Sequence, residues 1–151
     1  MRVRTIWLSG VLSLLPRVCL AGKSWSAPYY NPDLPTPICF GDMVLGAHTP
    51  ASLGVGQLLL FTHPNSALDR ANGTLFMSTT GGARWTPVLT YQPGCHSYSQ
   101  IVQYTDGKLG IVFDDGGDFP PGYSAASGQC KGVTNNQTYL LVELGSSLSQ
   151  K

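Results

Sequence analysis

Two side chains in the middle of the chain, Arg70 and Tyr98, have the chemistry to bind and to attack a substrate. The planar guanidinium of an arginine matches a carboxylate through two parallel hydrogen bonds, so Arg70 is a candidate anion-binding group. The phenol of Tyr98 becomes a nucleophile only if a neighbouring base takes its proton. Two alternatives stay open, a surface ion pair between Arg70 and Asp69, and a Tyr98 that packs and donates one hydrogen bond.

The other titratable side chains give weaker signals. His96 and Asp114 are acid/base candidates by residue type, but their spacing does not predict a dyad. His48 and His63 are lone histidines, which are more often structural than catalytic.

The four cysteines, Cys19, Cys39, Cys95 and Cys130, contain no CxxC pair, which argues against a zinc site. Their even number permits disulfides, but their spacing singles out no pairing, and we expect mostly buried thiols. We therefore predict neither a metal site nor a cofactor.

Composition predicts a single all-β domain. Charged residues make up 11% of the 151 residues and the net charge is +1, which argues against binding to nucleic acid or to an anionic membrane. Eighteen glycines and eleven prolines separate short apolar runs, a pattern typical of β-structure. No run approaches the roughly 20 apolar residues that a transmembrane helix needs.

The spacing of apolar and turn residues places the individual elements. The predicted strands cover residues 38–45, 56–62, 73–79, 86–90, 98–104, 109–113 and 138–144. Turns are predicted at 91–94 and at 105–108, where Asp106-Gly107 fits a type I′ hairpin. Residues 31–37 are predicted to be an extended proline-rich connector.

The segment between the third and fourth predicted strands has the composition of a tight reversal. Gly81 and Gly82 can take a positive φ, so the chain can turn sharply after Ser78. The short polar side chain of Thr80 can bond back to N–H groups of the turn, and Trp85 can cover the apolar side of the hairpin. An ordinary hairpin is the alternative.

The order of these motifs resembles the sialidase (neuraminidase) family, especially animal-type exo-α-sialidases. The runs FTHPNSALDRANGTLFMS, TGGARW and GCHSYSQIVQYTDGKLGIVFDD resemble its His-Pro turn leading to an arginine, its Asp-box turn and its Tyr-Ser strand. The run PICFGDMV resembles the family's Pro-x-Cys-Gln-Gly-Ser strand, with Phe40 in place of the glutamine. The matching Asp-box positions are Ser78, Thr80, Gly82 and Trp85, where Thr80 replaces the aspartate.

The resemblance implies a partial six-bladed β-propeller of about three blades. It implies a retaining exo-α-sialidase that removes terminal sialic acids from glycoproteins, glycolipids and oligosaccharides, as in ganglioside catabolism. Arg70 matches the third arginine of the triad that clamps the sugar carboxylate, and Tyr98 matches the nucleophile. A neutral phenol suits this chemistry because the anomeric carbon carries a carboxylate, which would repel an anionic nucleophile.

The resemblance covers about residues 22–115 and implies only the C-terminal half of such an enzyme. The family's Arg-Ile-Pro motif, acid/base aspartate, partner glutamate and first two arginines have no match here. Residues 1–21 are expected to be a signal-like or non-native segment, residues 22–145 a partial propeller and residues 146–151 a tail. We expect this chain to be inactive alone. The alternative is a non-catalytic Asp-box propeller or a sialic-acid-binding module, and the compartment and linkage preference stay open.

Overall fold

The computed structural model describes residues 27–46, 58–119, 130 and 136–143, together with the backbone of residues 12–15, 18–19 and 24–25. The strands are β1 (Leu12–Leu15), β2 (Val18–Cys19), β3 (Ser24–Trp25), β4 (Tyr29–Pro35), β5 (Asp42–Leu45), β6 (Leu59–Pro64), β7 (Ala71–Ser78), β8 (Thr86–Gln103), β9 (Leu109–Asp115) and β10 (Asn136–Val142). All regular structure in these ranges is antiparallel β-sheet, which confirms the all-β prediction. Within the same ranges, no helix has the length and apolarity to cross a bilayer.

The main sheet contains six strands in the order β10-β9-β8-β7-β6-β5, so strands that follow each other in sequence are neighbours in space. Strand β8 is 18 residues long and joins two groups of strands. Its first half pairs with β7 and its second half pairs with β9. Strands β5, β6, β7 and the first half of β8 therefore form a four-stranded meander. The second half of β8 opens another meander with β9 and β10. Smaller sheets pair β1 with β4 and β2 with β3.

The turn predicted at residues 91–94 is wrong, because these residues lie inside β8. Three register shifts interrupt the pairing of β7 with β8, and such bulges bend and twist a strand without ending it. A Cβ atom at Gly94 would clash with the carbonyl oxygen of Gly117. Glycine at this position therefore allows the two backbone segments to approach closely. The bend lets β8 leave β7 and continue along β9.

The hairpin between β8 and β9 is present, but its turn is not the predicted type I′. The N–H of Gly107 donates to the carbonyl of Tyr104 at 3.0 Å, and the N–H of Tyr104 donates to the carbonyl of Lys108 at 2.9 Å. Among these turn residues only Gly107 has a positive φ, of 86°, whereas a type I′ turn needs two such residues. The loop is therefore a type I turn followed by a left-handed glycine.

The strand predicted over residues 38–45 is shorter in the structure and begins at Asp42. Ile38 has a positive φ of 64°, which interrupts the extended chain before the strand can form. The proline-rich connector is extended as predicted, and most of it belongs to β4, which pairs with β1. The predictions for residues 1–21 and for the tail fall outside the described residues, apart from the backbone of β1 and β2.

Two hydrophobic clusters lie on opposite faces of β6 and β7. One cluster contains Leu60, Leu75, Ile101, Leu109, Ile111 and Phe113. The other contains Leu34, Phe61, Phe76 and Trp85. Successive residues of a strand point to opposite faces, so the neighbours Leu60 and Phe61 enter different clusters. The first cluster packs the two meanders against each other. It fixes β7, which follows Arg70 directly, and β8, which contains Tyr98.

Candidate functional site

The turn between β7 and β8 is held by hydrogen bonds that backbone N–H groups donate to side-chain oxygens. The Oγ atom of Ser78 accepts from the N–H of Gly82 at 2.9 Å and from the N–H of Thr80 at 3.3 Å. The Oγ1 atom of Thr80 accepts from the N–H of Arg84 at 2.9 Å. Gly81 and Gly82 have φ values of 63° and 88°, in the left-handed region that favours glycine. The turn is therefore specified by residue type at each of these positions.

Trp85 closes the same turn from the inside. Its indole Nε1–H donates to the carbonyl of Gly82 at 3.0 Å, and its ring lies 5.8 Å from that of Phe61. The carboxylate of Asp33 accepts from the backbone N–H of Trp85 and from Nε of Arg84, and these two hydrogen bonds hold the pKa of Asp33 below its usual value. The turn lies at the end of β7 that is distant from Arg70, roughly 25 Å away at the rise of an extended strand.

Arg70 and Tyr98 lie side by side. The guanidinium carbon of Arg70 is 5.4 Å from the centre of the Tyr98 ring, within the range of a cation–π contact. Nη1 of Arg70 donates to the hydroxyl of Ser97 at 3.2 Å. The backbone carbonyl of Arg70 accepts from the N–H of His96 at 2.7 Å, which ties the start of β7 to β8 just before Tyr98. Tyr98 is 39% exposed and Arg70 is partly buried, so the pair lies at the protein surface.

The surface ion pair between Arg70 and Asp69 is not formed. Asp69 is fully buried, and its carboxylate accepts from the backbone N–H of Arg70 at 2.9 Å. Both of its oxygens also accept from the N–H of Cys130, each at 3.1 Å. The salt bridges among the described residues do not include Arg70. Its guanidinium is therefore available to an anionic ligand.

The expectation of mostly buried thiols is wrong for two of the cysteines, because Cys95 and Cys130 form a disulfide with their Cα atoms 5.3 Å apart. Their separation of 35 residues gave no local signal for this pairing. Cys39 is a buried free thiol, as expected. Burial raises the pKa of Cys39, whereas the charge of Arg70 and a hydrogen bond with Ser97 act in the opposite direction. The Cys39 thiol therefore lies next to the candidate site.

A cavity of about 480 Å³ opens beside Tyr98. Its lining consists of Phe40, Gly41, Asp42, Tyr98, Ser99, Gln100, Val112, Phe113, Asp114 and Gln137. The ring of Phe40 meets that of Tyr98 edge to face at 5.3 Å, so the residue that replaces a glutamine in the resemblance contacts the candidate nucleophile. Asp114 accepts from the backbone N–H of Tyr98 at 3.4 Å. The cavity thus combines aromatic rings with carboxylates.

His63 and His96 belong to the core. His63 stacks on Phe76 at 4.8 Å, and burial lowers its pKa to about 3. His96 has its Nε2 atom 3.3 Å from the hydroxyl of Tyr91, and burial lowers its pKa to about 4. No hydrogen bond joins the side chains of His96 and Asp114 in the described part of the chain, so the structure does not form this dyad. His48 lies outside the described residues.

Sequence reasoning missed Ser97 and assigned Asp69 only as a surface ion-pair partner of Arg70. Ser97 supports the guanidinium of Arg70, and its position directly before Tyr98 could have indicated this contact. Asp69 is buried and bonds to backbone groups, which its sequence neighbours do not reveal.

The described residues contain no group of three or more His, Cys, Asp or Glu side chains placed to hold a metal ion.

The only glutamate in the sequence, Glu143, is far from Tyr98. It forms an ion pair with Lys108 at 3.4 Å, next to the hairpin that precedes β9. Tyr98 lies near Asp114 at the other end of β9, roughly 20 Å away at the rise of a strand. Glu143 is thus not placed to take a proton from the phenol.

Comparison with known proteins finds one related sequence and several similar structures. The chain is 30% identical over 96 residues to a sialidase of Micromonospora viridifaciens, a match that covers 63% of this chain and 15% of the relative. This chain therefore spans a small part of the relative it matches. No protein-family profile matches the chain.

The structural similarity extends over most of the chain. The intramolecular trans-sialidase of Ruminococcus gnavus, solved with oseltamivir carboxylate, superposes with a TM-score of 0.60 at 17% identity, covering 88% of this chain and 28% of that one. The NanB sialidase of Streptococcus pneumoniae gives a TM-score of 0.54 at 17% identity, covering 82% and 18%. At this identity the likeness shows the fold, and it confirms the predicted partial propeller. Sequence and fold both relate this chain to part of a bacterial sialidase.

Proposed function

We propose that this chain contributes Arg70 and Tyr98 to the active site of a retaining exo-α-sialidase of the animal type. The substrates would be terminal sialic acids of glycoproteins, glycolipids and oligosaccharides, including gangliosides. The observation that carries this proposal is the distance of 5.4 Å between the Arg70 guanidinium carbon and the centre of the Tyr98 ring. The sequence similarity to a bacterial sialidase supports the general class of glycosidase.

The geometry suits the chemistry of sialic acid. Its carboxylate is bonded directly to the anomeric carbon, so a carboxylate clamp and a nucleophile must lie next to each other. In the proposed reaction the phenolate oxygen of Tyr98 forms a bond to the anomeric carbon while the bond to the leaving oxygen breaks. Water then hydrolyses the glycosyl-tyrosine, and the two displacements together retain the configuration. Arg70, already oriented by Ser97, stabilises the sugar carboxylate throughout.

The proposed reaction needs a base for the phenol and an acid for the leaving group. Glu143 pairs with Lys108 at a distant position. Asp42 and Asp114, which line the cavity beside Tyr98, accept hydrogen bonds from backbone N–H groups. We therefore propose that neither group comes from the residues described here. The chain by itself is then expected to bind sialic acid without hydrolysing its glycosides. In the same proposal Ser78, Thr80, Gly82 and Trp85 form an Asp-box turn that stabilises the blade and takes no part in the chemistry.

The clamp is tested by titrating the methyl α-glycoside of N-acetylneuraminic acid into the labelled chain and following chemical shifts. Arg70→Met is expected to weaken binding about tenfold or more, since hydrogen bonds to a charged group contribute about 1.5–3 kcal/mol. Arg84→Met is the matched control, because Arg84 pairs with Asp33 in the distant turn. Unchanged affinity in Arg70→Met would contradict the clamp.

The nucleophile is tested separately from binding. Tyr98→Phe keeps the ring beside Arg70 and removes the attacking oxygen, so it is expected to preserve affinity while abolishing turnover in any active form that contains these residues. Tyr104→Phe is the matched control, since Tyr104 bonds through its hydroxyl to Tyr139. Undiminished turnover in Tyr98→Phe would exclude Tyr98 as the nucleophile.

A second candidate is a sialic-acid-binding module without catalysis, and the remote position of Glu143 favours it for the isolated chain. A fluorogenic sialoside separates the two functions. If the purified 151-residue chain hydrolyses the sialoside and Tyr98→Phe does not, the catalytic site is complete in this chain. That result would contradict our expectation of inactivity. Suppose that sialosides bind without being hydrolysed, even in a longer protein that contains this chain and further propeller sequence. That result would favour the binding module.

A further inference from the structure

The buried carboxylate of Asp69 connects the residue that bears the guanidinium to a remote part of the chain. Asp69 is fully buried, and its side-chain hydrogen bonds within the described part of the chain go to the backbone N–H groups of Arg70 and Cys130. A buried carboxylate costs free energy unless hydrogen bonds compensate it, so this arrangement strongly favours one position of Cys130 relative to Arg70. The Oγ atom of Ser66 accepts from the N–H of Asp69 at 3.1 Å and fixes the turn from the other side.

Cys130 is also joined covalently to the strand that bears the phenol. Its disulfide partner Cys95 lies three positions before Tyr98 in β8. The two cysteines pack with Ala71, the first residue of β7, in a small buried cluster. Cys95 is held further by backbone hydrogen bonds, donating to the carbonyl of Gly117 and accepting from Gly116, each at 2.9 Å. The carboxylate and the disulfide therefore attach Cys130 to both sides of the site.

We propose that Asp69 and the Cys95–Cys130 disulfide are positioning residues, which together fix the guanidinium of Arg70 against the ring of Tyr98. This inference rests on the proposed function of these two residues in binding a sialic acid carboxylate. In this proposal neither Asp69 nor the disulfide contacts the substrate, because all three residues are buried. Their effect is to remove alternative arrangements of the two strand segments before the ligand binds, which lowers the cost of ordering the site.

Reduction provides a direct perturbation. A dithiol such as dithiothreitol transfers two electrons and two protons to the disulfide, giving the thiols of Cys95 and Cys130 and the cyclic disulfide of the reagent. The hydrogen bonds of Asp69 to the N–H of Cys130 then have to hold the segment alone. We expect the guanidinium to sample more positions, so that the sugar carboxylate is bound less well.

The experiment measures discrimination between a carboxylate and its ester. The full chain is titrated with the methyl α-glycoside of N-acetylneuraminic acid and with the methyl ester of the same glycoside. The ratio of the two affinities reports the contribution of a correctly placed Arg70, and we expect at least about tenfold in the oxidised chain. Partial unfolding would lower both affinities together and leave this ratio unchanged, whereas mispositioning lowers the ratio.

Three perturbations are compared: reduction, Cys130→Ser and Asp69→Asn. Each is expected to bring the ratio close to the value of Arg70→Met, while Asp33→Asn keeps the ratio of the unmodified chain, since Asp33 accepts hydrogen bonds in the distant turn. Cys39→Ser, measured before and after reduction, shows that the effect of the reagent does not come from the free thiol. Cys130→Ser keeps the N–H that Asp69 holds, so it tests the covalent link even if Asp69→Asn does not fold.

An unchanged ratio in the reduced chain and in Cys130→Ser would overturn the inference. A ratio near one in the oxidised chain would instead contradict the proposed function. In that event the positioning of Arg70 is still measured, because the Tyr98 ring, 5.4 Å from the guanidinium carbon, is expected to shift the Nε–H resonance of Arg70. Loss of that shift on reduction would support the positioning effect, and its retention would overturn it.

Discussion

The two buried histidines are expected to make the stability of the fold depend on pH between 7.5 and 5.0. Burial lowers the pKa of His63 from 6.5 to about 3 and that of His96 from 6.5 to about 4. The unfolded chain therefore binds protons below pH 6.5 that the folded chain does not bind. Stability contributed by the neutral histidines is complete above pH 6.5 and is lost as the pH falls toward the folded-state pKa values.

The magnitude follows from the pKa difference. A pH of 5.0 is 1.5 units below the ordinary histidine pKa of 6.5. At this pH both His63 and His96 are protonated in the unfolded chain and still neutral in the folded chain. At 1.36 kcal/mol for each unit, every histidine lowers the free energy of unfolding by about 2 kcal/mol. The two together remove about 4 kcal/mol, a large part of the 5–15 kcal/mol that is usual for a domain.

Urea unfolding at 25 °C, followed by tryptophan fluorescence, measures this loss. The pH range stops at 5.0 because the protonation of Asp33 and Asp106 also changes stability at lower pH. The folded-state pKa values of both residues lie below 3.8, so their contribution to stability is lost near and below that pH. His63→Leu removes one titrating group, so the variant is expected to lose only about 2 kcal/mol between pH 7.5 and 5.0. Equal stability of the unmodified chain at both pH values, or an undiminished loss in His63→Leu, would refute the assignment to buried neutral histidines.

Three substitutions test the turns and the core, each by the free energy of unfolding in urea. Trp85→Ala empties a buried site against Phe61 and is expected to cost about 3–5 kcal/mol, while a cost under about 1 kcal/mol would show that the ring is not part of the core. Ser78→Ala leaves the buried N–H of Gly82 without its acceptor and is expected to cost about 1–3 kcal/mol; an unchanged midpoint would argue against that hydrogen bond. Gly107→Ala forces a left-handed conformation on alanine at a cost of about 1–2 kcal/mol, and a stabilised variant would contradict the turn assignment.

The elements that sequence predicted well are those whose signal is local. Alternation and apolar runs located β6, β7, β9 and β10 to within a few residues, because each strand buries side chains that its own sequence displays. The turn predicted from Pro93 and Gly94 was wrong because a Pro-Gly pair is compatible with both a turn and a bulged strand. The close approach of Gly94 to Gly117 favours the bulged strand.

The site was predictable only in part for a similar reason. The ordered motifs singled out Arg70 and Tyr98, and the structure brings their side chains together. The burial of Asp69 and the disulfide of Cys95 with Cys130 depend on chain segments that are far apart in sequence. No spacing rule indicates which of four cysteines will meet once β8 has bent toward β9.

The continuity of β8 makes the site sensitive to chain length. Ser97 and Ser99 are buried and Tyr98 between them faces outward, so alternate positions of this strand have opposite environments. Inserting or deleting one residue between Trp85 and Cys95 would exchange the two faces beyond that point. The phenol would then turn into the core and a serine would take its outward-facing position. The position of Tyr98 beside Arg70 therefore depends on the number of residues between Trp85 and Tyr98 as well as on the identity of the side chains.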